Sequence, residues 1–191
     1  MVYKVDNRKN RHKGRNVGLA VIIPLIAIGV FFAPQIVDSI SKTTDSLIPN
    51  VSSTQETQNV DWNAIALQIH DLVNKEREAN HVSDLTWDDS IASVALAHSK
   101  DMSINNYFDH IDKQGNTPTT RLEENNICNG YSGENLDFLV GYSSTQIPQN
   151  TIEDWLSDQG HKLNLLGSGY TREGIGISQS NNEVYITEDL C

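Results

Sequence analysis

Four signatures of ready-made chemistry are missing from these 191 residues. No Gly-x-Ser-x-Gly elbow presents a serine nucleophile, and no His-Glu-x-x-His pair marks a zinc-bearing helix. No cysteine is paired with a histidine by motif, and the glycine patterns that cradle nucleotide phosphates are absent. Gly174-Ile175-Gly176 fits close packing of a strand better than phosphate binding. Internal repeats are lacking too. Positive charge is scarce outside the first 16 residues. Those carry Lys4, Arg8, Lys9, Arg11, Lys13 and Arg15 against Asp6 alone, a balance of +5, which leaves −16 of the formal net −11 on the rest. An acidic body without basic patches excludes nucleic acid as a partner, because phosphate must be neutralised.

A further absence points to a membrane. Between Val17 and Val37 there is no charged residue, and as a helix those positions would span about 31 Å, one hydrocarbon core. The preceding basic run predicts a cytoplasmic tail over residues 1–16, a single-pass anchor over 17–37 and the remainder outside the cell. The rival reading is a signal peptide cleaved at the small residues Ala27-Ile28-Gly29, giving a secreted protein, although that site lies mid-run. Residues 38–61, rich in Ser, Thr, Asn and Gln, lack the apolar content for a core and read as a polar linker, with an N-glycosylation sequon at Asn50.

Residues 62–191 read as one folded domain. Ile65, Ile69, Leu72 and Val73 recur at helical spacing after Asp61, an N-cap. Asp88 or Asp89 caps a second helix carrying Ile91, Val94, Ala95, His98 and Met102. A short third helix is expected over Thr117–Glu124, opened by Pro118, and a fourth over Thr151–Gln159, ended by Gly160. Residues 174–180 and 183–187 alternate in period two about Asn181-Asn182, a hairpin pattern. Helices first and strands last predict an α+β arrangement. The two cysteines of an exported chain suggest a Cys128–Cys191 disulfide, closing a loop of about 64 residues worth roughly 4 kcal/mol in the chain-entropy model. Free thiols or an intermolecular bridge are the alternatives.

Three phrases carry the most information: Tyr107-Phe108-Asp109-His110, Gly133-Glu134-Asn135-Leu136 and Gly160-His161-Lys162-Leu163-Asn164-Leu165-Leu166. With Leu72-Val73-Asn74-Lys75-Glu76-Arg77, Leu85-Thr86-Trp87-Asp88, His98-Ser99-Lys100-Asp101-Met102, Gly115-Asn116-Thr117-Pro118 before Arg121, Trp155, and Val184-Tyr185-Ile186-Thr187, they closely resemble the compact prokaryotic branch of the CAP superfamily. That module is shared by cysteine-rich secretory proteins, antigen 5 and plant pathogenesis-related proteins. The resemblance implies an α-β-α sandwich with a short antiparallel sheet. It also implies a large groove in which two histidines and two acidic residues converge, here His110, His161, Glu134 and, three residues past Trp155, Asp158. Many prokaryotic relatives carry serine at this last position and several eukaryotic ones glutamate; aspartate is one methylene shorter. Glu188 stands where close relatives often carry glutamine.

Two imidazoles can hold Zn²⁺ or another divalent cation, with Glu134 orienting a histidine or taking a proton from bound water. Two protein ligands are few, since catalytic zinc usually has three. The competing reading is a metal-free network in which His110 and His161 bond to Glu134. His98 is expected in the core or at a cleft edge, His70 and His81 in solvent, and Arg77 and Arg121 as structural clamps. The resemblance favours a non-enzymatic module binding a lipid, peptide or protein. The alternatives are a metal-dependent hydrolase resembling a peptidase, with Glu134 or Asp158 as candidate catalytic carboxylates, and a structural cell-surface or adhesion module.

Overall fold

Asp61 starts the fold by chemistry local to it: its carboxylate accepts the Ala64 amide at 3.0 Å and opens α1, Trp62–Ala79. This computed structural model describes residues 60–191 apart from Asn129. The expected tail, anchor, sequon and nearly all of the linker lie outside the described residues, among which no helix is long and apolar enough to cross a membrane. After α1 come β1 (Thr86–Trp87), α2 (Asp89–Asn105), α3 (Pro118–Glu124), β2 (Gly133–Val140), α4 (Ile147–Ser157), α5 (Gln159–Leu165), β3 (Arg172–Ser180) and β4 (Glu183–Leu190). Asp88 caps α2 through the Ser90 and Ile91 amides, and Thr117 caps α3 ahead of Pro118.

The strands form one sheet in the order β1-β3-β4-β2. The expected β3–β4 hairpin is present, turning at Asn181 with a left-handed φ of 56°. The sheet is mixed rather than purely antiparallel, because β1 runs parallel to β3 at the edge. Period-two alternation puts Leu136 and Phe138 of β2 with Tyr185 on one face, against Met102 of α2. Ile175, Ile177, Val184 and Ile186 face the other way and pack with Ile65, Ile69 and Val73 of α1 and Trp155 of α4. Helices therefore cover both faces, and the fold is the expected α-β-α sandwich.

Two local features set how tightly these layers meet. A Cβ built on Gly174 or Gly176 would lie 2.0 Å from the backbone nitrogen of Ala92 or Leu96, so α2 rests on bare strand backbone. Ser99 on the same helix then donates to the Gly176 carbonyl at 2.9 Å and meets the Thr187 hydroxyl at 2.8 Å. Cys128 and Cys191 form the expected disulfide, with 5.6 Å between their Cα atoms, and tie the loop before β2 to the residue after β4. Arg77 is fully buried and clamps loops as expected, donating to the carbonyls of Ser83 and Leu165 (each 2.8 Å) and Gly167 (3.1 Å).

Two expectations are corrected. Gly133-Glu134-Asn135-Leu136, whose glycine, acid and amide suggest a loop carrying Glu134, is instead the start of β2; nearly continuous burial along the strand masks the alternation that would have marked it. The helix expected over Thr151–Gln159 is two helices, broken where Asp158 adopts φ −99° and ψ 128°. Gly160 therefore sits in the first turn of α5 rather than ending α4.

Candidate functional site

Glu134 lies at the start of β2, 4% exposed, and each of its carboxylate oxygens has a partner. His110 donates from Nδ1 to Oε1 at 2.6 Å, and Arg121 donates from Nη2 to Oε2. Burial pushes this carboxyl up, but the His110 hydrogen bond and the Arg121 charge outweigh it and hold the group below the usual carboxylate range. An ionised Glu134 accepts, so Nδ1 of His110 carries the hydrogen of this bond. Arg121 Nη1 also donates to the carbonyls of His110 (2.9 Å) and Asn116 (3.1 Å). One guanidinium thus fixes both the carboxylate and the loop carrying the imidazole. Phe108 anchors that loop against Phe138, ring centroids 5.7 Å apart, and His98 holds the Asp109 carbonyl at 3.0 Å from its Nε2. Gly133 leaves room for Tyr170 here, because a Cβ on it would meet the Tyr170 hydroxyl at 2.4 Å.

The third phrase joins through amides. Asn135 donates from Nδ2 to the His161 carbonyl at 3.2 Å, and Asn164 donates to the Glu134 carbonyl at 2.9 Å and to Asn135 Oδ1 at 3.0 Å. These two side chains splint α5 to β2, so the His110 loop, Glu134 and the backbone of His161 belong to one hydrogen-bonded assembly. His161 lies within the first turns of α5. Asp158 is the N-cap of that helix: its Oδ1 accepts from the amides of Gly160 (2.8 Å) and His161 (3.2 Å) and lies 4.0 Å from His161 Nδ1. The short aspartate suits a cap, where a longer glutamate would overreach.

Two more buried acidic groups lie on β4. Asp189 pairs directly across from Glu134 in the ladder and Glu188 from Asn135, so the neighbours point to opposite faces. Burial, then the charge and hydrogen bond of Glu134, raise the Asp189 carboxyl well above its usual value. On the other face Glu188 accepts from Asn135 Nδ2 at 2.6 Å and shares a hydrogen bond with Glu173 of β3. Burial lifts Glu188 far up and Glu173 to about 7. His70, expected in solvent, instead contacts Glu173 through Nδ1 and rests edge-on to Trp87, centroids 5.6 Å apart. Burial lowers His70. The contact is therefore a neutral hydrogen bond at physiological pH more than an ion pair. Charged residues inside an apolar strand are the sequence signal for Glu173, Glu188 and Asp189.

Among the described residues, no group of three or more His, Cys, Asp or Glu side chains is arranged to hold a metal ion. A catalytic zinc takes three protein ligands, and Glu134 is already committed to His110 and Arg121, so no metal-dependent step is derived from this arrangement.

Residues 70–190 match the model of the cysteine-rich secretory protein family, CAP. The uncharacterized membrane protein YlbC of Bacillus subtilis is 38% identical over 112 residues, covering 59% of this chain and 31% of that protein. The uncharacterized protein YkwD of the same organism is 27% identical over 115 residues, covering 60% and 43%. The match thus spans less than half the length of either relative. An extracellular SCP-domain protein from Bacillus anthracis superposes with a TM-score of 0.55 at 32% identity, covering 67% of this chain and 40% of that one. An outer surface protein of Borrelia burgdorferi superposes at 0.60 with 17% identity, covering 69% and 94%, and shows the fold alone. With the sandwich, the disulfide and the family match in agreement, the chain belongs to the CAP family.

Proposed function

We propose that this protein displays its CAP domain outside the cell membrane and binds a ligand or partner around His110, Glu134 and His161 without turning it over. Residues 1–16 form the cytoplasmic tail, 17–37 the anchor and 38–61 the tether. A relative named as a membrane protein and a structural neighbour named as extracellular support that placement. The observation that carries the binding reading is the double engagement of Glu134. A buried carboxylate held by a guanidinium and an imidazole is a weak proton acceptor, which disfavours general-base catalysis. The same network makes a rigid polar wall, with the His110 ring anchored through Nδ1, suited to recognising a hydrogen-bonding group.

The test combines capture and turnover. The purified full chain is incubated with a total membrane lipid extract and separately with a random peptide library; bound species and cleavage products are read by mass spectrometry. Reproducible retention of one class, weakened in His110→Ala with the fold intact, supports the reading. Cleavage products that vanish in His110→Ala would transfer the site to the hydrolase alternative.

A further inference from the structure

The buried pair Glu173 and Glu188 lies on the face of the sheet opposite Glu134 and has no part in the function proposed above. Both side chains are wholly buried, and Glu173 Oε2 and Glu188 Oε1 lack a hydrogen-bond partner other than one another. The ladder places Leu190 opposite Glu173 and Ile175 opposite Glu188, so the two carboxyls are diagonal neighbours on one face. Two facing carboxyls in a dry core are stable when a proton lies between them. From this pair a chain of contacts leads in both directions. Outward, Glu173 reaches His70, the partly exposed end of the series. Inward, Glu188 Oε2 takes Asn135 Nδ2 at 2.6 Å, and the same nitrogen donates to the His161 carbonyl at 3.2 Å.

We propose that Glu188 and Asn135 are positioning residues for the groove: the proton held between Glu173 and Glu188 keeps Asn135 in place, and Asn135 in turn sets the α5 turn that carries His161. Losing that proton puts two negative charges face to face. Glu188 can relieve the repulsion only by moving away from Glu173, and the short bond to Asn135 carries the amide with it. Asn135 is shared with Asn164, which holds the Glu134 carbonyl, so the displacement reaches both the histidine-bearing helix and the first residues of β2. The groove is thereby coupled to external pH through a proton site that no groove ligand touches.

The charged surroundings are consistent with a proton site rather than a fixed ion pair. From α1 the pair meets His70, with Asp71 beside it, and Arg77, whose guanidinium is committed to four carbonyls. Asp84 acts from the segment before β1. Across the sheet, Glu134 adds negative charge on the far face, beside Asp189, whose carboxyl burial and Glu134 push toward its protonated form. At the inner end lie His161 and its neighbour Asp158. Arg77 is the one full positive charge in this group that acts directly on the pair, and it does not cancel the cost of burying two carboxylates.

This inference assumes that the His161 region is the binding groove, yet its test needs no ligand, so the two can fail separately. Isotope-labelled full chain is titrated by NMR from mildly acidic to mildly alkaline pH. Three signals are followed: the Glu188 carboxyl carbon, the Asn135 side-chain amide and the His161 carbonyl carbon. The expected result is one shared midpoint for all three, well above the ordinary carboxyl range, and loss of that transition from the Asn135 and His161 signals in Glu188→Gln. Glu173→Gln is the second variant, and loss of the same transition there identifies the shared proton as its source. A Glu188 carboxyl that titrates while the Asn135 and His161 signals stay flat would overturn the proposal. So would a His161 transition that persists unchanged in Glu188→Gln or Glu173→Gln.

Discussion

Replacing Glu173 by glutamine removes one acid from the buried pair while preserving its shape. The introduced glutamine can still meet His70 with one atom of its amide and face the Glu188 carboxyl with the other. In the wild type, Glu173 is lifted from 4.5 to about 7. That rise in the folded-state value corresponds to roughly 3 kcal/mol. The sign follows from the direction. A raised group contributes stability that is complete below the unfolded value and is lost as pH climbs through the folded one. Wild-type stability should therefore fall between about pH 4.5 and pH 8 by something approaching 3 kcal/mol from this site. His70, lowered by burial, acts in the opposite sense as pH falls below its ordinary 6.5, so the comparison is made between variant and wild type at each pH, where its effect is largely common. Glu173→Gln should match the wild type at pH 5 to within about 1 kcal/mol and exceed it at pH 8 by about 2 kcal/mol, a rise in melting midpoint of roughly 6–10 °C. Thermal melts followed by near-ultraviolet circular dichroism at the two pH values read this directly. A variant equally destabilised at both, or a wild type flat from pH 5 to pH 8, would refute the reasoning.

Three further outcomes are expected. Arg121→Ala should cost about 3–5 kcal/mol in urea unfolding, because it strands a buried Glu134 carboxylate, and Glu134→Gln in the same chain should restore much of the loss; a cost below about 1 kcal/mol would mean the clamp is ornamental. The intact protein should be about 2 Da lighter than its reduced form, and reduction should lower its stability by roughly 4 kcal/mol, whereas alkylation of both thiols without reductant would contradict the Cys128–Cys191 bridge. Zinc should leave the wild-type melting midpoint unchanged, since a ligand of the folded state would raise it by mass action; a rise abolished by His110→Ala would reveal an ion site after all.

The helices are legible in the sequence because their signals are local. Asp61, Asp88 and Thr117-Pro118 cap within four residues, and the apolar periodicity of α1 needs no tertiary partner. The break at Asp158 is hidden because an aspartate inside an amphipathic run looks the same whether it continues one helix or caps the next. Strand β2 is hidden for a different reason: Glu134, Asn135 and Asp137 look like loop residues until the covering helices are known. The family phrases single out His110 and Glu134, and their contact is direct. Arg121 is readable as a clamp, but its target is not, since nothing in residues 115–121 announces a carboxylate on a strand farther along. His70 is misplaced in solvent for the same lack of context: its partner Glu173 is 103 residues away.

The bare glycine strip under α2 has a mechanical consequence. Because Ala92 and Leu96 press on Gly174 and Gly176 with no side chain between, the distance from helix to sheet is set by atomic radii and has no slack to absorb an added methyl. The same helix carries His98, which grips the Asp109 carbonyl immediately before His110. A single alanine on the sheet floor would therefore work like a shim under a beam: it lifts α2, and the lift is delivered to the loop that aims the imidazole. Tolerance to change near the groove is thus governed partly from beneath it, by two residues that no ligand could touch.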